Sequence, residues 1–208
     1  DNSGSIRYLR LEYTGFAYNS EKEFNGLSLF GVGSGTTIEY VQAYEGSDDG
    51  FEWFGGTVNA NNLVVFNSHE FVGDDLFDWT EGWVGSGQNW YGKRVNNGNR
   101  GIEADNNSNN EGATPISNPT ISNLTLIGNG AGSENHAIKL RVGTKGQFDN
   151  LVLSNWGTGF DVQSAPDLSA GYVGTDLAAT NVKFDGVTNL ANATATGIYT
   201  INDDATGA

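Results

Sequence analysis

Cysteine and methionine are both absent from the 208 residues. Without cysteine there is neither a disulfide framework nor a thiolate metal site, so any metal here is held by oxygen. Without methionine there is no initiator, and the chain is expected to be a processed or excised piece of a longer protein. Basic side chains are scarce, 10 Lys and Arg against 25 Asp and Glu, for a net charge of −15. That balance argues against nucleic acid and anionic membrane as partners and favours cations or neutral polymers. No apolar run approaches the ~18 residues of a membrane span and no signal segment is recognisable, so membrane insertion of this segment is not expected.

Charged residues are only 17% of the chain while Gly alone supplies 30 residues, so its polarity comes largely from Asn, Ser, Thr and Gly. Those residues favour turns and short strands over helix interiors. The length suits one domain with a sizeable core. An acidic, cysteine-free chain rich in Asn and Gly has the composition of an extracellular bacterial protein.

Two motifs alternate along the chain. The first is apolar-x-(Asn/Tyr)-apolar-x-apolar, starting at Ile6, Ile38, Ala60, Gly87, Ile121, Phe148 and Ala179, with a mean step of about 29 residues and its weakest copy at Gly87. The second is small-apolar-x-apolar, as in Gly26-Leu27-Ser28-Leu29 and Gly50-Phe51-Glu52-Trp53. Its later copies start at Leu76, Gly101, Ala137, Gly159 and Gly197. Alternation with period two inside each motif predicts strands. Two short strands per repeat cannot close a core, whereas stacked repeats can.

The prediction is an all-β, right-handed parallel β-helix of about seven rungs, ~4.8 Å apart, forming a single domain over 1–208 with an irregular end from 189. An antiparallel sandwich or jelly roll also gives many short strands, but not a constant order of two motifs. Leu27, Phe51, Phe77, Ile102, Ile138, Phe160 and Ile198 are expected to form one internal column. Leu9, Val41, Leu63, Trp90, Leu124, Leu151 and Val182 form another. Asn62, Asn89, Asn123, Asn150 and Asn181 fall where the inward parity shifts, as expected of amides that satisfy the backbone at a bend. Spacers at Thr14–Asn25, Asp105–Pro119 and Ser164–Leu177 are predicted to be flanking loops. The chain opens directly in a rung, so end-to-end stacking at uncapped rungs is an expected mode of association.

The outward position of the second motif reads Ser28, Glu52, Asp78, Glu103, Lys139, Asp161 and Tyr199. Consecutive carboxylates on neighbouring rungs repel unless water or a cation intervenes. Asp48, Asp49, Asp74 and Asp75 at the adjoining turn, and Asp105 after Glu103, enlarge the cluster. With oxygen donors only, calcium is the expected ion, held among Asp48, Asp49, Glu52, Asp74, Asp75, Asp78, Glu103 and Asp105. The same residues admit two other readings. One is a solvated acidic stripe in which Glu103, Lys139 and Asp161 form a weak ion-pair ladder. The other is a catalytic set of Glu52, Asp78 and Glu103 with Lys139, Arg141 or Arg100 as the base.

His69 and His136 read as loop histidines. Trp53 and Trp79 point inward by phase, while Trp83, Trp90 and Tyr91 are candidates for an aromatic surface that packs on a sugar ring. Arg10, Gln42, Val64, Tyr91, Thr125, Val152 and Lys183 form no uniform outward ladder, which argues against ice binding.

The run Gly31-Val32-Gly33-Ser34-Gly35-Thr36-Thr37-Ile38, continuing through Asp48-Asp49-Gly50-Phe51-Glu52-Trp53-Phe54-Gly55-Gly56, resembles a group of secreted right-handed β-helix surface proteins and lipoproteins of Gram-negative bacteria. Asp74-Asp75-Leu76-Phe77-Asp78-Trp79 and Arg100-Gly101-Ile102-Glu103-Ala104-Asp105 resemble later signatures of the group, and the similarity covers about residues 1–165. It implies export, an extracellular or outer-surface location and the β-helix, and brings no established activity. More distantly the chain is similar to the pectate-lyase and polygalacturonase superfamily. That similarity is one of fold and transfers no catalytic residue. The polygalacturonase His-Gly and Arg-Ile-Lys elements are not matched, since Ile138-Lys139-Leu140-Arg141 departs from that order.

These readings lead to an exported, calcium-steadied β-helix that is structural or binds glycan, with polysaccharide or other surface proteins as partners. The alternative is a polysaccharide lyase or glycoside hydrolase using Glu52, Asp78 and Glu103.

Overall fold

Seven strands each carry one residue in the left-handed region of backbone space. These residues are Tyr8, Tyr40, Asn62, Asn89, Asn123, Asn150 and Asn181, with φ between 54° and 60°. An ordinary L-residue pays roughly 1–2 kcal/mol there, and asparagine is among the few side chains that visit the region readily. At that residue the inward parity changes: in Asn59–Asn67, Ala60 is buried on one side of Asn61-Asn62 while Leu63, Val65 and Asn67 are buried on the other. Each strand is thereby folded into two legs around a common interior.

The computed structural model describes residues 1–19, 23–68, 73–95, 98–130, 134–163 and 172–208. The bent strands are β1 (Ser5–Glu12), β3 (Thr37–Tyr44), β5 (Asn59–Asn67), β7 (Ser86–Arg94), β9 (Thr120–Ile127), β11 (Gly146–Ser154) and β13 (Leu177–Asp185). With the short β15 (Tyr199–Ile201) they form an eight-stranded parallel sheet in chain order. Shorter strands interleave with them: β2 (Leu27–Phe30), β4 (Phe51–Phe54), β6 (Phe77–Thr80), β8 (Ile102–Ala104), β10 (His136–Leu140), β12 (Thr158–Val162) and β14 (Asn189–Ala191). These make a seven-stranded parallel sheet, again in chain order. Alternate strands in two parallel sheets with no helix among the described residues are the architecture of a parallel β-helix.

Register follows the two motifs. Leu9, Val41, Leu63, Trp90, Leu124, Leu151 and Val182 are partners in successive rungs. Leu27, Phe51, Phe77, Ile102, Ile138 and Phe160 form the second column, which ends on Ala191. Ile198 and Tyr199 do not belong to that column, because Tyr199 pairs with Ala179 in the sheet of bent strands. The residues from 189 onward therefore contain two strands, and residues 206–208 pack back on Asn150 and Thr125.

The core is aromatic in its N-terminal half. Trp53 stacks on Trp83 at 4.7 Å and on Trp90 at 5.0 Å, and Phe77 stacks on Trp90 at 4.7 Å, all fully buried. Gly87 makes the weakest copy of the first motif because Trp90 folds over it. A Cβ at Gly87 would lie 2.3 Å from the indole. The small residue that opens the second motif has a similar cause, since a Cβ on Gly50 would meet the Leu76 carbonyl of the next rung at 2.6 Å.

At the bend the amides form a ladder. Asn89 donates to Asn62 at 3.1 Å, Asn123 to Asn89 at 2.9 Å and Asn150 to Asn123 at 2.8 Å. The ladder changes at its ends. Tyr8 and Tyr40 stack at 4.9 Å in place of amides, and Asn181 donates instead to Asp149 at 2.7 Å. The Asp105–Pro119 spacer is less exposed than its composition implies. Asn106 is buried, donates to the Glu111 and Ala113 carbonyls and accepts from the Ser117 amide, holding the loop against the coil. Most of the Ser164–Leu177 spacer lies outside the described residues.

Asn89→Ala is expected to destabilise by about 2–4 kcal/mol in denaturant unfolding, through the left-handed backbone and two amide bonds. Asn89→Gly, which relieves the backbone, is expected to cost less than half of that. Equal losses for the two variants would show that the bend itself contributes nothing.

Candidate functional site

The outer face of the short-strand sheet carries three columns of side chains. Because β2 through β12 pair without a slip, Ser28, Glu52, Asp78, Glu103, Lys139 and Asp161 are partners on successive rungs. Tyr199 does not continue this column, since it lies in the other sheet. Asp49, Asp75, Arg100 and His136 form a second column two residues before the inward aromatic or Ile, linked by rung-to-rung bonds from Gly50, Leu76 and Gly101 amides to the Asp75, Arg100 and His136 carbonyls. His136, expected in a loop, is the first residue of β10. Phe30, Phe54 and Thr80 start the third, one position past the second motif.

Three overlapping carboxylate triads result: Asp48, Asp49 and Asp74; Asp49, Glu52 and Asp78; and Asp75, Asp78 and Glu103. Within each, one oxygen per residue lies within 4.8 Å of the others. Seven of the eight predicted metal ligands are thus brought together. Asp105 is not in a triad because Arg141 holds both its oxygens at 2.8 Å.

The neutralising charge is unevenly placed. Arg100 pairs with Glu103, reaches Asp75 at 3.5 Å and Glu134 at 2.7 Å, and Arg141 pairs with Glu103 as well as Asp105. Lys139 contacts Glu134 at 2.9 Å and Asp161 at 3.7 Å. Its partner is thus mainly Glu134, and no Glu103–Lys139 pair forms among the described residues. The N-terminal half differs. Among the described residues, no lysine or arginine forms an ion pair with Asp48, Asp49, Glu52, Asp74 or Asp78. Three of these acids accept from dipoles instead: Asn25 donates to Glu52, Asn99 to Asp74, and the Asp75 amide to Asp49 at 2.9 Å. Arg94 is buried beneath the turn and donates to the Asp74 carbonyl.

Burial and mutual repulsion raise the carboxyl pKa values together. Burial, then Asp74 and Glu23, lift Asp48 to about 6. Burial lifts Glu52 to about 7 against the opposing Asn25 bond, with Asp48 and Glu103 adding to the rise. Asp75 reaches about 8 through burial and the charges of Asp74 and Glu103, which outweigh Arg100. Asp49 and Asp78 are pushed well above the usual range by burial and then by their acidic neighbours. Glu134 goes the other way, to about 2, because Lys139 and Arg100 bond it. His136 is lowered by burial and sits 3.7 Å from Asp161. His69 lies outside the described residues.

Residues 1–207 match the family model of the pectate-lyase-like β-helix domain. The chain belongs to that family. Neither a curated protein nor a solved structure matches it at a significant level. In this pectate-lyase-like β-helix, then, the outward acidic column is a feature read from the chain itself.

The predicted sugar platform of Trp83, Trp90 and Tyr91 is not formed. Trp83 and Trp90 are fully buried in the core, their indole N–H groups donating to Val58 and Ala60 carbonyls at 3.0 and 2.8 Å. Tyr91 is half-buried on the outward face of β7, in the other sheet. The sequence reading missed the cross-links made by Glu134 and did not place Arg100 in the Asp49–Asp75 column. Superposing the copies of the second motif one residue further upstream carries that second signal.

For groups raised in the folded state, the stabilising contribution is complete below the unfolded value near pH 4 and is lost as pH rises through the folded values. Without divalent cations, melting temperature is therefore expected to fall between pH 5 and pH 8. Each kcal/mol lost lowers it by about 2–4 °C. A flat profile over that window would show that the carboxylates are solvated and independent.

Proposed function

We propose that this pectate-lyase-like β-helix is an exported cell-surface module, structural or glycan-binding, whose acidic column holds divalent cations, calcium first. The observation that carries the reading is the triad of Asp49, Glu52 and Asp78, which gathers three oxygen donors without a cationic partner among the described residues. Several hard carboxylate oxygens and no nitrogen or sulfur donor suit calcium better than magnesium, which demands a tighter octahedron and keeps most of its water. A bound dication replaces the repulsion that raises these pKa values with attraction. Because donors recur rung by rung, the cation acts as a staple along the solenoid axis. The extracellular location rests on the composition and on the resemblance to secreted surface proteins.

Calcium titration of the melting temperature tests this. At a hundredfold excess over Kd, a rise of roughly 5–10 °C at neutral pH is expected. Glu52→Gln with Asp78→Asn is expected to raise the melting temperature in EDTA and to remove the calcium response. No shift in wild-type protein at millimolar calcium would refute the cation reading.

A carbohydrate-active enzyme is the second reading, favoured by one observation: Glu52 and Asp78 are direct rung partners, and the Glu52 carboxyl is raised to about 7. Rung spacing of ~4.8 Å is near the ~5–5.5 Å separation of retaining glycosidase carboxylates. The site is narrower than the sequence suggests. Glu103 is held by Arg100 and Arg141, and Lys139 by Glu134, so Glu52 and Asp78 are the pair to test. Polysaccharide turnover abolished by Glu52→Gln would favour this reading over the structural one.

A further inference from the structure

At the N-terminal end of the acidic column the outward face changes character. Phe30 and Phe54, partners on the first two short strands, stack with ring centres 4.4 Å apart and planes 10° from parallel. β2 is the terminal strand of its sheet, and among the described residues no aromatic ring stacks on the far face of Phe30. Phe30 is 70% exposed. Beside it opens a cavity of about 340 Å³, walled by Phe30, Phe54, Phe24 and Tyr18, with Asn25, Ser28 and Glu52 along one edge.

That edge is polar and organised. The Asn25 amide donates to Ser28 Oγ at 3.1 Å and to the Glu52 carboxylate. An apolar wall met by a short row of donors and acceptors is the general form of a small-ligand pocket. The ring ladder sets the occupant's shape, because a flat apolar face at van der Waals distance from Phe30 continues the Phe54–Phe30 stack. The acids set its charge. Glu23 and Glu52 border the cavity, and the protein as a whole carries −15, so an anionic ligand is disfavoured.

We propose that this cavity is a binding subsite for a neutral sugar ring, stacked on the exposed face of Phe30 with its hydroxyls on Asn25, Ser28 and Glu52. A pyranose has one face of C–H groups and an equatorial belt of hydroxyls, which matches an aromatic wall beside a row of amide, hydroxyl and carboxyl groups. A planar aromatic ligand would satisfy the wall and leave the polar edge unused. An acidic sugar would place its carboxylate beside Glu23 and Glu52. The subsite rests on the glycan-binding half of the proposed function and shares Glu52 with the cation half, so the titrations in EDTA read it without the ion.

The test is calorimetric titration with cellohexaose, mannohexaose, xylohexaose and maltohexaose, and with hexagalacturonate as the acidic comparator, each in EDTA and in calcium. At least one neutral oligosaccharide is expected to bind more tightly than hexagalacturonate. Phe30→Ala is expected to weaken it by about tenfold or more and Phe30→Tyr by little, with the melting temperature lowered by a few degrees at most through loss of the Phe54 stack and the fold retained. Failure of every neutral oligosaccharide to bind at millimolar concentration would overturn the subsite, as would preference for hexagalacturonate. Binding unaffected by Phe30→Ala would overturn it while leaving a glycan-binding module. Self-association lost on Phe30→Ala, without glycan binding, would assign the surface to a second copy and overturn it too. The cation reading is judged separately, by the calcium shift of the melting temperature.

Discussion

Every rung turns on a single backbone decision, a residue held at positive φ in the middle of a long strand. The turn moves the chain from one inward parity to the other and lets one strand supply two walls of the core. Asparagine is selected at the later rungs for two reasons that reinforce each other. It enters the left-handed region readily, and its amide has a donor and an acceptor to link the rung above with the rung below. At the first two rungs tyrosines take the position and stack their rings instead. The bend then fixes register, because slipping one strand by a residue would place its left-handed residue out of line with both neighbours.

Fixed register has an electrostatic consequence. In a parallel coil a side chain meets its counterpart from the previous repeat, so repetition of sequence becomes stacking of like with like. For Leu and Trp that is burial, and for Asn it is a ladder. Glu52, Asp78 and Glu103, in contrast, become a repulsive column. The coil resolves this in two ways. Toward the C-terminal end the arginines at 100 and 141 and the lysine at 139 interrupt the run, and Glu134 ties two of them together. Toward the N-terminal end no such cation is placed among the described residues, and the carboxyl groups are left to hold protons or to share a dication.

Much of this was legible because a solenoid writes its contacts as periodicity. The two internal columns, the Asn column and the acidic outward column follow from superposing motifs, and all four lie in register through the middle rungs. The reading failed where periodicity stops being informative. Gly197-Ile198-Tyr199-Thr200 fits small-apolar-x-apolar, yet the chain uses it in the other sheet. The second-sheet strand of that rung is the short Asn189–Ala191, whose Leu190 and Ala191 alone carry no pattern. Trp90 holds an inward position of the first motif, which conflicts with its reading as part of a sugar platform, while Trp83 gave no sign of depth in sequence. Trp83 lies outside both motifs, and the space for Trp90 is made by Gly87, whose significance emerges only once the indole is folded over it. Glu134 was invisible because it comes from a spacer, where no repeat fixes position. The Phe30–Phe54 pair lay one residue past the motif, so it was never superposed.

The claim most open to direct trial is that the unneutralised end of the column is completed by a cation. Anomalous diffraction from a crystal soaked in calcium tests it at atomic level. A peak bounded by carboxyl oxygens of Asp49, Glu52 and Asp78, or of Asp75, Asp78 and Glu103, is the predicted result. A map with no peak on that face, from crystals soaked at millimolar calcium and neutral pH, would contradict it and leave the column as carboxyl groups that share protons.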